Sequence, residues 1–294
     1  MEATNSPAPP PAALPGKTSS LAPLILAAAA FALLFAKPAT LLASDWWNDP
    51  EAGHGLLLAP LAVWLGWKRG FIEQQPQKVL GAVLLIGGVA LRYLSGLAAE
   101  LFTMRMSMVI AAIGVIVFFR GYRQVFHWWL PVTLLALSIP IPDVLTGSLA
   151  LPLQLTASRW GAALLQLRHV PVVLTGNIIR LPGRDLFVTE ACSGLRSLTA
   201  LLALGVLVGG LWLRHVASRV LLIGMAIPVA MVVNAFRVFL TGFLVHWVDP
   251  KLGEGFMHLS EGWLLFVVAF VILGGFTWAV AGIERRVMGA PTRG

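Results

Sequence analysis

The sequence predicts an all-α polytopic membrane protein with about eight transmembrane helices. Hydrophobic residues make up 58% of the 294 and charged residues only 12%. Mean hydropathy is +0.83, whereas soluble domains are about a quarter charged. Apolar runs close to the length of a bilayer core recur along the chain. Basic residues fall in alternate loops, which orients the spans.

Residues 1–20 are rich in Pro, Ala and Ser and predict a disordered tail. The remainder, 21–288, predicts a single membrane-embedded domain. The first run, 21–43, is long for the apolar core of a signal peptide and only Lys17 precedes it, so it is taken as a span. Further spans are expected at 55–68, 79–97, 102–119, 125–142, 193–213, 217–246 and 262–283. Lys68, Arg69 and Lys78 follow the second run, Arg120 and Arg123 the fourth, Arg214 and Arg219 the sixth, and Arg285, Arg286 and Arg293 the last. The positive-inside rule then predicts both termini in the cytoplasm and the long 143–191 connection on the outer face. A net charge of +8 is accounted for in the same way, without nucleic acid.

That connection has structure of its own. Residues 152–170 carry apolar side chains at roughly helical spacing, with Arg159 and Arg168 among them, and predict an amphipathic helix at the interface. Residues 172–190 alternate short β-rich runs with Gly-Asn and Pro-Gly-Arg-Asp turns, predicting a small β-hairpin or meander. It leads directly into EACSGLRSL (190–198), which holds the single cysteine, Cys192. One cysteine excludes an internal disulfide and a cysteine-based metal cluster. No metal and no cofactor are expected.

The topology places Cys192 at the outer mouth of the sixth span, near a helix N-terminus. Unpaired N–H groups and the helix dipole there favour a thiolate. Ser193 is a candidate cap, Arg196 lies one turn deeper, and Glu190 precedes the thiol. The plain alternative is a buried cysteine acting as a small hydrophobe. In the seventh run Asn234 and Arg237 share a face at i,i+3. An Arg within hydrocarbon is a functional candidate by default, with snorkelling to outer headgroups as the alternative. His258 opens the last span and falls in the same leaflet; a solitary interfacial histidine is otherwise a surface residue. His54, outside and followed by Gly55, is either a further cavity residue or a plain surface one. Together, Cys192, Arg237 and His258 suit nucleophilic chemistry: a thiolate attacks a carbonyl, a histidine moves the proton and a fixed cation stabilises the oxyanion.

These residues resemble the exosortases and the related archaeosortases. The resemblance rests on EACSGLRSL (190–198), NAFRV (234–238) and HLSEG (258–262), in that order on a polytopic chain. IPIP (139–142), GNIIRLP (176–182) and the early acidic-then-His-Gly segment 45–60 are also similar. The resemblance implies a membrane cysteine peptidase or transpeptidase of the bacterial inner membrane, its active site facing the periplasm. Its partners would be exported proteins ending in a sorting motif such as Pro-Glu-Pro, a transmembrane helix and a basic cluster. Cys192 matches the acyl-thioester nucleophile, Arg237 the catalytic arginine and His258 the third member; an envelope component would be the acceptor. The family's arginine is described as a proton donor, but a guanidinium holds its protons too tightly for that role, which favours oxyanion stabilisation. Three other readings use the same residues differently. A transporter would bind an anion at Arg237, an acyltransferase or lipase would act on lipid, and an assembly factor for envelope polysaccharide would need none of the three.

Overall fold

The structure, a computed structural model, describes residues 22–49, 52–182, 184–188, 195–249 and 255–288. Within its helices and strands, the side chains of 22–24, 143, 184, 195–196, 255–262 and 287–288 lie outside the description. The helices are α1 (Ala22–Asn48), α2 (Gly55–Arg69), α3 (Lys78–Leu97), α4 (Leu101–Arg120), α5 (Tyr122–His127), α6 (Trp129–Leu137), α7 (Asp143–Leu167), α8 (Leu195–Trp212), α9 (Val216–Trp247) and α10 (Gly255–Met288). Strands β1 (Val173–Thr175), β2 (Ile178–Leu181) and β3 (Arg184–Phe187) lie between α7 and α8. The chain is an all-α polytopic membrane protein carrying one small sheet.

Among the described residues, five helices are long and apolar enough to cross a bilayer: α1, α3, α4, α9 and α10. α2 and α8 are shorter, at 15 and 18 residues. The run expected as one span at 125–142 is divided at Trp128 into α5 and α6. Trp128 sits in the turn between them, its indole Nε1 donating to the Gly70 carbonyl at 2.9 Å. The helix expected at 152–170 begins earlier, at Asp143. Pro152 lies inside α7 instead of at its start, and Pro142 occupies the N-cap.

Small residues set the helix contacts. In the α3–α4 hairpin, a Cβ on Gly81 would lie 2.3 Å from the Phe118 backbone nitrogen, and one on Gly114 would lie 2.5 Å from that of Leu85. No side chain fits at either position, so the two backbones touch. Between α7 and α9, Gly161 lies against Val238 and Gly242 against Leu165. Both partners advance by four residues, so these helices run parallel. α8 opposes α9, with Gly205 at Ile223 and Gly209 at Arg219. α10 also runs antiparallel to α9; Glu284, near its end, accepts the backbone N–H groups of Arg214 and His215 at 3.2 Å.

The sheet is an antiparallel meander in the order β1-β2-β3. Thr175 pairs with Ile178 across a two-residue loop in which Gly176 has φ +62°. A positive φ at the first loop position is the type II′ requirement that glycine meets without strain. Asn177 holds β3, donating Nδ2 to the Val188 carbonyl at 3.1 Å while its own carbonyl accepts the Val188 N–H. Leu165 of α7, Ile179 and Leu181 of β2, Val188, and Val238 and Val245 of α9 form one buried cluster. The sheet is thereby seated on α7 and the C-terminal half of α9.

The C-terminal end of α1 is pinned by polar contacts. Asp45 pairs with Arg105 of α4, whose side chain is 5% exposed. Trp46 Nε1 donates to the Ser138 carbonyl at 2.7 Å. Glu100 caps α4, accepting the Phe102 and Thr103 N–H groups at 3.0 and 2.6 Å. The Thr103 hydroxyl and these amides hold its carboxyl below the usual range. Asp45→Ala strands the buried Arg105 guanidinium. Because Asp45 is one-third exposed, the expected loss is about 2 kcal/mol, less than for a fully buried pair; thermal unfolding in detergent measures it. An Asp45→Ala chain as stable as wild type removes the pair from any structural role.

Candidate active site

Asn234 and Arg237 lie one turn apart on α9, so helical periodicity puts them on one face. That face is packed by α8 on one side, α7 on another and α10 on a third, and two clefts open along it. One is lined by Ser197 and Leu201 of α8, Ala230, Val233, Asn234 and Arg237 of α9, and Leu265, Phe266 and Ala269 of α10. The other is lined by Leu153, Thr156 and Ala157 of α7, Leu198 of α8, and Ala230, Met231 and Asn234 of α9. Asn234, itself 6% exposed, belongs to both.

Among the described residues, none that lines either cleft is acidic. A guanidinium stays protonated at any working pH, so the first cleft carries a fixed positive charge in apolar surroundings. Coulombic attraction is several-fold stronger there than in water. The arrangement favours an anion, or a group that becomes one. Thr241 closes the next turn of α9, donating Oγ1 to the Arg237 carbonyl at 3.0 Å. Among the described residues, no group of three His, Cys, Asp or Glu side chains is gathered to hold a metal.

The remaining sequence candidates are described to different degrees. Cys192, Ser193 and Glu190 lie outside the described residues, as do the side chains of Arg196 and His258. Cys192 precedes Leu195, the first residue of α8, by three positions; Ser197, two positions further, lines the Arg237 cleft. His258 is the fourth residue of α10. It precedes the lining residues Leu265 and Ala269 by seven and eleven positions, a spacing that keeps helical positions on one face. His54 is not among the residues lining either cleft. Its Nε2 lies 3.2 Å from the Leu137 carbonyl at the end of α6, a role in holding the α1–α2 segment. Ser197 was not singled out by sequence reasoning, although it stands in the same motif, five residues after the thiol.

The comparisons with known proteins follow the same residues. The family model for transmembrane exosortases matches residues 46–275, which include the α1–α2 segment, both clefts and the positions of all three candidates. No curated protein and no solved structure matches the chain. A match over most of the length settles membership: the chain belongs to the transmembrane exosortase family, cysteine-type transpeptidases that sort proteins at a membrane.

Proposed function

We propose that the chain cleaves C-terminal sorting tails of exported proteins through an acyl-thioester on Cys192 and passes the acyl group to a component of the cell envelope. The Cys192 thiolate attacks the carbonyl carbon of the scissile peptide bond, forming a C–S bond and a tetrahedral oxyanion. Arg237 stabilises that oxyanion. Collapse breaks the C–N bond, and His258 delivers the proton that the leaving amine requires. The acceptor's nucleophile, or water, then displaces the thiolate, with His258 taking its proton. The substrate tail is a short motif such as Pro-Glu-Pro, a transmembrane helix and a basic cluster.

The observation that carries this reading is the cleft where Arg237 and Asn234 meet the first turns of α8 and a face of α10. In sequence, Cys192 stands five positions before Ser197 and His258 seven before Leu265, and both Ser197 and Leu265 line that cleft. In this reading both termini are cytoplasmic, the membrane is the bacterial inner membrane and the cleft opens to the periplasm. The α7–sheet unit, seated on the end of α9 beyond Arg237, presents the motif. Asn234 orients the substrate backbone, and Arg196 and Ser193 support the thiolate at the helix start.

The test is a reporter with a candidate sorting tail, co-expressed with the wild-type chain while the acceptor pathway is limited. A reporter–enzyme conjugate should accumulate, bound through Cys192 and released by neutral hydroxylamine. Processing that proceeds with no such conjugate, even as single turnovers are followed, sinks the thioester.

A further inference from the structure

At the end of the bundle remote from the clefts, two arginines from different helices converge on one indole. Arg69, the last residue of α2, has its guanidinium carbon 6.0 Å from the centroid of the Trp129 ring. Arg219, in the first turn of α9, lies 4.7 Å from the same ring. Trp129 also touches the α8 terminus, where a Cβ on Gly210 would lie 3.0 Å from the indole. Thirteen residues of α8 separate Gly210 from Ser197, about 20 Å at 1.5 Å per residue.

Among the described residues, no carboxylate lies within 4.0 Å of either guanidinium. Their bonds go to carbonyls: Arg69 Nη1 to His127 at 2.9 Å, and Arg219 Nε and Nη2 to Leu213 at 3.0 and 2.8 Å. Each guanidinium has five N–H donors, so donors remain on both. Two like charges held on one ring repel each other, and a shared anion would relieve that repulsion. The planar fork matches a phosphate group in particular.

The surroundings say where such a phosphate comes from. Lys68 lies over Trp64 at 4.9 Å and Arg120 over Phe71 at 4.5 Å, so the same end carries further cations on aromatic faces. Beside them Trp67, Phe126 and Trp212 are 80%, 71% and 63% exposed. Cations and indoles at one level mark a membrane–water interface, and exposed apolar rings suit acyl chains. We propose that Arg69 and Arg219, joined through Trp129, bind the phosphate of an anionic phospholipid headgroup.

Native mass spectrometry of the purified full chain, titrated with phosphatidylglycerol in detergent, tests this. Arg219→Gln and Arg69→Gln should each weaken the tightest lipid by about tenfold, while Arg123→Gln, at an exposed neighbouring cation, should leave it unchanged. Equal weakening by Arg123→Gln would reduce the effect to diffuse surface charge and overturn the site. So would wild-type affinity in both glutamine variants. Inorganic phosphate that raises thermal stability as much as the lipid does would overturn the lipid assignment in favour of a free-anion site. If the glutamine variants do not fold, Arg69→Lys and Arg219→Lys carry the test. They keep the charge but lose the fork, and should weaken binding about threefold; unchanged affinity in both overturns the proposal.

Discussion

Replacing Cys192 by alanine should leave a sorting-tail reporter entirely full length, and replacing Arg237 by glutamine should slow its processing by about 10²- to 10³-fold. The two losses differ in kind. Without the thiol no covalent intermediate forms, and residual hydrolysis would have to use water directly. Without the guanidinium the thiol is still present, but the oxyanion develops in a cleft where, among the described residues, Arg237 is the one charged side chain in the lining. Removing one preorganised donor from such a site costs about 3–4 kcal/mol of transition-state stabilisation. Arg237→Lys separates stabilisation from proton donation. As an oxyanion stabiliser, lysine restores part of the rate with the pH profile of wild type. As a proton donor, it adds a new basic limb where the ammonium titrates. Single-turnover conjugate formation reads the rate, and alkylation of Cys192, the one thiol in the chain, reports that the site is still assembled. Processing by Arg237→Gln at the wild-type rate would remove Arg237 from the chemistry.

The second large effect is on folding. Gly81→Ala and Gly114→Ala should each destabilise the chain by about 3 kcal/mol, the upper part of the range for overpacking. The added methyl would meet backbone atoms of the partner helix at 2.3 and 2.5 Å, not the end of a yielding side chain. The α3–α4 hairpin must therefore separate. Within a bilayer, lipid tails are as apolar as leucine, so lost packing is not repaid by burial elsewhere. Gly87→Ala, where nothing lies within 4 Å of the added carbon, is the matched control and should be neutral. Thermal unfolding in detergent measures all three; destabilisation by Gly87→Ala equal to that of Gly81→Ala would refute the close approach.

Span positions were legible because apolar runs of bilayer length are a one-dimensional signal. The α1, α3, α4, α9 and α10 spans fall within a few residues of the runs that predicted them, and the turns at Gly176 and Pro182 marked the sheet. Three things were not legible. The division at Trp128 depends on an indole reaching Gly70, a contact between distant positions that no local pattern encodes. The earlier start of α7 reflects packing of Ala150 and Gln154, both buried, which overrides the proline signal at 152. The stretch 45–60 was noticed for its acidic-then-His-Gly pattern, whereas its Asp45 pairs with Arg105, sixty positions away, at the end of α1. At the site, helical spacing alone put Asn234 and Arg237 on one face. It could not show that α7 and α10 each complete a separate cleft beside Asn234, nor that Ser197 joins them.

α9 carries two cargoes on one rod. Arg237 faces the cleft, and from Val238 onward the same helix is the footing for α7 and the sheet, through Gly161 on Val238 and Leu165 on Gly242. Pro228, its one internal proline, lies nine residues below Arg237, so no proline breaks the backbone ladder between the arginine and the footing. The sheet and the cation are therefore built on one length of helix that no proline interrupts. If the sheet presents the substrate peptide as proposed, the load on it falls on the same helix that holds the guanidinium.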